Sequence, residues 1–118
     1  MRLKLRIDWS EQDIFNHVNN VAFAKYMQAS RVNLMEALGI METYAKQKIG
    51  FMVAASSIIY RKPLNYPGQI EIETKVHEIK NTSFLIKHQI FNEANDLCAE
   101  GEDVIVYFDF NRNEKLTL

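Results

Sequence analysis

An α+β fold, one long helix held against one face of an antiparallel sheet, is what the sequence predicts, and three observations predict it. A segment of period two opens the chain, a single long segment of helical period follows, and the remainder breaks into strand-like runs separated by turn residues. Such an order places the helix between the first strand and a set of hairpin-linked strands, which bury one face of their sheet against it.

The first segment sets Leu3, Leu5, Ile7 and Trp9 on one face and Lys4, Arg6 and Asp8 on the other, the alternation of a half-buried strand. From Asn20 to Leu38, the apolar residues Val21, Ala24, Met27, Val32, Met35 and Leu38 recur near the helical period. Asn19 or Asn20 is suited to cap its start, and Gly39 to end its last turn. The helix is then roughly 28 Å long at 1.5 Å per residue. Phe23, Tyr26 and Leu34 lie off that stripe, so the helix is apolar around much of its circumference and is expected to be buried on several sides. Met41 to Lys48 adds a short, more polar helix before Gly50.

Four strands are expected after that. Phe51 to Arg61 is rich in apolar and β-branched residues and stops at Pro63, and Asn65-Tyr66-Pro67-Gly68 carries turn chemistry. Ile70, Ile72, Thr74 and Val76 alternate with Glu71, Glu73, Lys75 and His77. Lys80-Asn81-Thr82 turns the chain into a strand with Phe84, Ile86 and Ile90, and Glu93 to Asp96 turns it again into a last strand through Val104 to Phe110.

Composition narrows the function classes. At 118 residues the chain matches one ordinary domain, so 1–118 is read as a single unit. With 47% hydrophobic and 25% charged residues it has a globular balance, and a formal net charge of -1 provides no global field for nucleic acid or an anionic membrane. Cys98 is the only cysteine, which excludes an internal disulfide and fits a reducing, cytoplasmic location. No apolar run approaches the roughly 20 residues that span a bilayer, and no signal-peptide core follows Arg2, Lys4 and Arg6. Neither a Gly-rich phosphate loop nor a G-x-S-x-G elbow is present. His77 and His88 lack ligand-like spacing, and Cys98 reads as a small buried group, so neither a metal nor a cofactor is expected.

The chemistry-bearing density lies between the first strand and the helix, in Asp13-Ile14-Phe15-Asn16-His17-Val18-Asn19-Asn20. The plainer reading is that the asparagines cap the helix, Asp13 braces the loop and His17 is a surface histidine. A helix start also presents free N–H groups and partial positive charge, which suits an oxyanion, and a neighbouring carboxylate then faces the electrophile.

Asp13 followed by His17-Val18-Asn19-Asn20 and Phe23, opening a long helix, resembles the signature loop of hotdog-fold thioesterases, most closely the 4-hydroxybenzoyl-CoA thioesterase-like family. Further pieces in compatible order extend the likeness: Ala37-Leu38-Gly39, Ile59-Tyr60-Arg61-Lys62-Pro63, Thr82-Ser83-Phe84 and Ala99-Glu100-Gly101. The resemblance implies a five-stranded antiparallel sheet wrapped around one central helix, and an acyl-CoA thioesterase acting on a small or medium acyl-CoA or acyl-ACP. It implies Asp13 as nucleophile or general base and the backbone N–H of Asn20 as a carbonyl donor. His17 also resembles the loop histidine of plant acyl-ACP thioesterases, but where those have an Asn two residues after the Asp this chain has Phe15, so the Asp-Asn-His arrangement does not carry over. Lys80 and Ser83 match family positions that contact CoA, with Arg61 and Lys62 as further phosphate ligands. The family also implies a homodimer or a dimer of dimers, with composite sites. Two alternatives keep the fold: a hotdog dehydratase or hydratase, and a non-enzymatic acyl-CoA-binding module. The second has no need of a carboxylate at the thioester.

Overall fold

The computed structural model describes all residues from Met1 to Leu118. The elements run β1 (Arg2–Arg6), a 3-10 turn (Trp9–Glu11), α1 (Asn20–Ala37), α2 (Ile40–Gln47), β2 (Ile49–Tyr60), β3 (Gln69–His77), β4 (Ser83–Phe91), β5 (Leu97–Asp109) and β6 (Glu114–Lys115). One antiparallel sheet carries them in the order β1-β3-β4-β5-β2, with β6 paired to the end of β5. The five expected strands are present. β6 is a two-residue addition, and β5 begins at Leu97, directly after the turn expected at Glu93 to Asp96. No helix is long and apolar enough to cross a membrane.

The first strand is shorter than the alternation suggests. Leu3, Leu5 and the buried Ile7 keep the expected face, but Asp8 caps the turn that follows, its carboxylate accepting from Ser10 N–H while Glu11 accepts from Asp8 N–H. This reciprocal cap takes the chain out of the extended conformation. Trp9 therefore leaves the strand and is exposed.

The long helix forms where expected, capped by Asn19, but its buried face is not the expected stripe. Ala22, Phe23, Tyr26, Met27, Ser30, Leu34 and Met35 are buried, whereas Val21, Val32 and Leu38 are exposed and so is Ala24. The sheet selects the face carrying the large aromatics and one serine, and Ser30 is tolerated there because it hydrogen-bonds Thr74 and His88.

The core lies between α1 and the inward residues of the sheet. Ile70, Ile72, Ile86, Ile90 and Ile105 are all fully buried. At Gly101 a Cβ would overlap the end of Met27, so the absence of a side chain at this position of β5 leaves the space that the Met27 side chain fills.

Candidate active site

The Asp13 loop is a tight, hydrogen-bonded excursion. An isolated bridge pairs Gln12 with Val18, Asp13 N–H donates to the His17 carbonyl at 2.8 Å, and Asn16 turns at φ 60°. The left-handed turn falls on an asparagine, a residue that tolerates it. Oδ1 of Asp13 accepts from Phe15 N–H at 2.8 Å and from His17 N–H at 3.2 Å. Oδ2 makes no hydrogen bond within the chain, and Asp13 is exposed. Asp13 thus braces its loop with one oxygen and leaves the other at the surface.

Anchors from the Leu64-Asn65 segment and from Tyr26 of α1 hold the loop. Val18 N–H donates to the Leu64 carbonyl at 2.8 Å, and Asn65 donates its side-chain amide to the Asn16 carbonyl at 2.9 Å. Glu11 accepts the buried Tyr26 hydroxyl at 2.7 Å, while its carbonyl accepts Asn19 N–H. Burial, reinforced by Glu11, pushes the Tyr26 hydroxyl pKa up, so this bond keeps its proton at all ordinary pH.

The helix start supplies donors. Asn19 Oδ1 takes the N–H of Ala22 and its carbonyl takes that of Phe23, so the N–H groups of Asn20 and Val21 have no acceptor in the chain. The Asn20 side chain is exposed, and its backbone N–H is one of the two open donors. His17 is exposed, and no hydrogen bond joins its ring to Asp13. Ile14 and Phe15 project from the loop tip, 89% and 72% exposed.

The four expected phosphate ligands do not gather in one place. Arg61 donates from Nε to Glu100 at 2.7 Å, with Nη2 at 2.6 Å from the same oxygen, and Lys62 lies 3.5 Å from Asp96. These two cations already hold carboxylates. Lys80 is exposed without a carboxylate partner, and its N–H closes the β3–β4 hairpin on the Ser83 carbonyl at 2.7 Å. Arg61 N–H bonds the Cys98 carbonyl whereas Ser83 pairs with Val106, so the two pairs lie at opposite ends of β5, roughly 26 Å apart at 3.3 Å per residue.

At the Lys80 end of the sheet, α1, α2 and the start of β2 border a half-open cavity of ≈ 250 Å³. Met35, Ile40, Tyr44, Phe51 and Phe110 line it, and Arg31 is its one charged wall. Arg31 belongs to a buried network that single-sequence reading misses. Asp103, 0% exposed, accepts Arg31 Nη1 at 3.0 Å, Ser56 Oγ at 2.6 Å and His88 Nε2 at 2.7 Å. His88 Nδ1 meets Ser30 Oγ at 3.3 Å, and Ser30 bonds Thr74. Burial opposes ionisation of Asp103, yet the hydrogen bonds from His88, Ser56 and Arg31 prevail and hold its carboxyl below the usual carboxylate range. One sequence signal pointed to it: Asp103 stands in phase with the inward positions Ala99, Gly101 and Ile105 of β5. Cys98 is buried, and burial pushes its thiol pKa up, away from the thiolate a nucleophile needs. No cluster of three His, Cys, Asp or Glu side chains has metal-binding proximity.

A family model described as the Thioesterase-like superfamily matches residues 7–118. The acyl-CoA thioester hydrolase YbgC of Escherichia coli O6:H1 is 20% identical over 109 residues, which are 92% of this chain and 81% of the relative. The long-chain acyl-CoA thioesterase FadM of Escherichia coli K12 is also 20% identical, over 100% of this chain and 90% of the relative. Among solved structures, the BH1999 gentisyl-coenzyme A thioesterase aligns with a TM-score of 0.87 at 20% identity, over 100% of this chain and 95% of that one. At such identity the structural likeness shows the shared hotdog fold.

Proposed function

The chain belongs to the thioesterase-like superfamily, and from that membership we propose that it hydrolyses acyl-CoA thioesters to free acid and CoA thiol. Asp13 is the reacting carboxylate in this reading, and the free N–H of Asn20 receives the carbonyl oxygen. The observation that carries it is the division of labour at Asp13: Oδ1 is spent on the loop, while Oδ2 stays unbonded in the loop that leads into a helix start with two open donors. In the base route, Oδ2 takes a proton from water, and the hydroxide adds to the carbonyl carbon. Negative charge gathers on the oxygen facing the helix start, the C–S bond then breaks, and the proton passes to the departing thiolate. In the nucleophile route, Oδ2 adds directly and water resolves the anhydride. The His17 ring has no hydrogen bond to Asp13, and His17, tied to Asp13 through its backbone alone, is assigned to loop shape rather than to proton transfer.

Two partial sites argue for two chains. From Asn20 to Met35 the helix rises roughly 22 Å at 1.5 Å per residue, so one chain's carboxylate does not reach its own apolar cavity. β2 is a sheet edge of 12 residues carrying exposed Met52, Val53, Ile59 and Tyr60, the kind of edge that proteins cover. Antiparallel pairing of two such edges about a two-fold axis brings the Asp13 end of one chain to the cavity end of the other. Arg61 and Lys62 of one protomer then approach the partner's Lys80 and the partner's Ser83, and these four take the CoA phosphates. The working unit is a homodimer of 1–118 domains, or a dimer of two such dimers. Acyl carrier protein is the alternative thiol carrier. A cytoplasmic location suits the lone thiol.

The test is thiol release from acyl-CoAs of graded length and from acyl-ACP. Turnover of the CoA esters supports the reading. Enoyl-CoA hydration in its place identifies a hydratase, and binding without turnover identifies a module. A single turnover in oxygen-18 water that labels Asp13 establishes the nucleophile route with water attacking the Asp13 carbonyl, since the base route places the label in the released acid alone.

A further inference from the structure

Resting on the thioesterase reading, we propose that Arg31 is a specificity residue that selects acyl groups carrying a neutral oxygen acceptor, a hydroxyl or keto group, away from the thioester. The argument starts from what the buried network does not explain. A buried ion pair stabilises a fold no better than well-packed apolar residues of the same volume, so burying Asp103 under α1 is not explained by stability. What the network does achieve is to hold one guanidinium at the wall of an otherwise apolar cavity.

Arg31 has five N–H donors, and the chain engages one nitrogen, Nη1, with Asp103. Every fully buried side-chain polar atom in the structure has a partner, so the unused donors of Arg31 lie where solvent or a ligand reaches them. Arg31 lines the cavity among Met35, Ile40, Tyr44 and Phe51, so a ligand seated there meets the guanidinium. Asp103 also decides the kind of ligand. Its charge already balances the guanidinium, so a ligand carboxylate entering the cavity is left without a free counter-charge and loses its hydration. A hydroxyl or keto oxygen carries no such cost and fills the open donors. A plain alkyl chain leaves those donors dry and unpaired.

The experiment measures binding by calorimetry, with no hydrolysis required. Stable S-alkyl thioethers of CoA with butyl, hexyl and octyl chains are compared with their ω-hydroxy and ω-carboxy counterparts. At the length that reaches Arg31, the hydroxylated ligand binds tighter than the plain one by about tenfold to a hundredfold, the worth of a hydrogen bond from a charged donor. Arg31→Lys and Arg31→Met reduce that ratio to near one, with the plain ligand's affinity little changed. A parent ratio near one at every length overturns the proposal, as does tighter binding of the carboxylate. Equal loss for both members of a pair in the variants also overturns it, because a purely structural Arg31 acts that way. Thiol release from the matching esters is scored separately: binding selectivity without turnover refutes the thioesterase reading and leaves this one standing.

Discussion

Replacing Asp13 by Asn separates the bracing bonds this residue makes from the catalytic role proposed for it. Asn keeps an oxygen at Oδ1 for the N–H groups of Phe15 and His17, at 2.8 and 3.2 Å, and it puts a neutral amide where the unbonded Oδ2 stands. The loop bonds therefore survive, and stability changes by less than about 1 kcal/mol, the net worth of one such bond. The reactive charge does not survive, so turnover falls by roughly 10² to 10⁴, the usual contribution of a general base. Asp13→Ala is the complement. It removes both loop bonds and costs a further 1 to 2 kcal/mol or so, because two N–H groups lose their acceptor. The assay is steady-state thiol release beside a thermal melt and the affinity for a CoA thioether. Asn at parental turnover refutes the chemistry and leaves Asp13 a brace. Asn with a large drop in melting temperature shows the charge itself holding the loop, and any loss of activity then says nothing of catalysis.

Gly101→Ala drives a Cβ into Met27, so the melting temperature is expected to fall with an overpacking cost of about 1 to 3 kcal/mol; an unchanged melt means that Met27 swings aside freely. For Asp103, whose folded pKa is depressed, the stabilisation is full above the unfolded value near 3.9 and is lost as pH falls through the lower folded value. Asp103→Asn is expected to lower stability at neutral pH by about 3 kcal/mol and to flatten the acid limb below about pH 4; identical limbs in denaturant titrations exclude that role. Light scattering at micromolar concentration is expected to give at least twice 13.8 kDa, and an active monomer removes the composite site.

The strands were legible because their signals are local. Alternation and turn residues lie within a few positions of each other, and the hairpins that follow β2 obey them. The phase of α1 was not legible, since a helix apolar on several sides offers more than one face and the sheet chooses among them. The helical period puts Val21 and Val32 on the inward stripe, yet both are exposed, whereas Phe23, Tyr26 and Leu34 take the core. The polar network was hidden for a related reason. Arg31 and Asp103 are 72 positions apart, Ser30 and Thr74 are 44 apart, and nothing short-range links them. Arg61 and Lys62 read as free cations for the same cause, because Glu100 and Asp96 come beside them only once β2 pairs with β5. The Asp13 loop stood out because its donors, acceptors and helix cap fall within eight consecutive residues.

The plainer and the sharper readings of Asp13 are not rivals once the two oxygens are counted separately. A carboxylate has about four lone-pair sites, and the loop uses Oδ1 alone, through donors that come from the residues two and four positions later. Those bonds fix the side chain's rotation and so fix where Oδ2 points, which is the preorganisation that a reacting oxygen requires. A bracing carboxylate with both oxygens bonded would have no oxygen left free of the loop. The turn at Asn16, the bridge from Gln12 to Val18 and the tie of Glu11 to Tyr26 all act on the same short segment. That is more restraint than a surface connection needs, and it converges on the one atom the loop leaves unbonded.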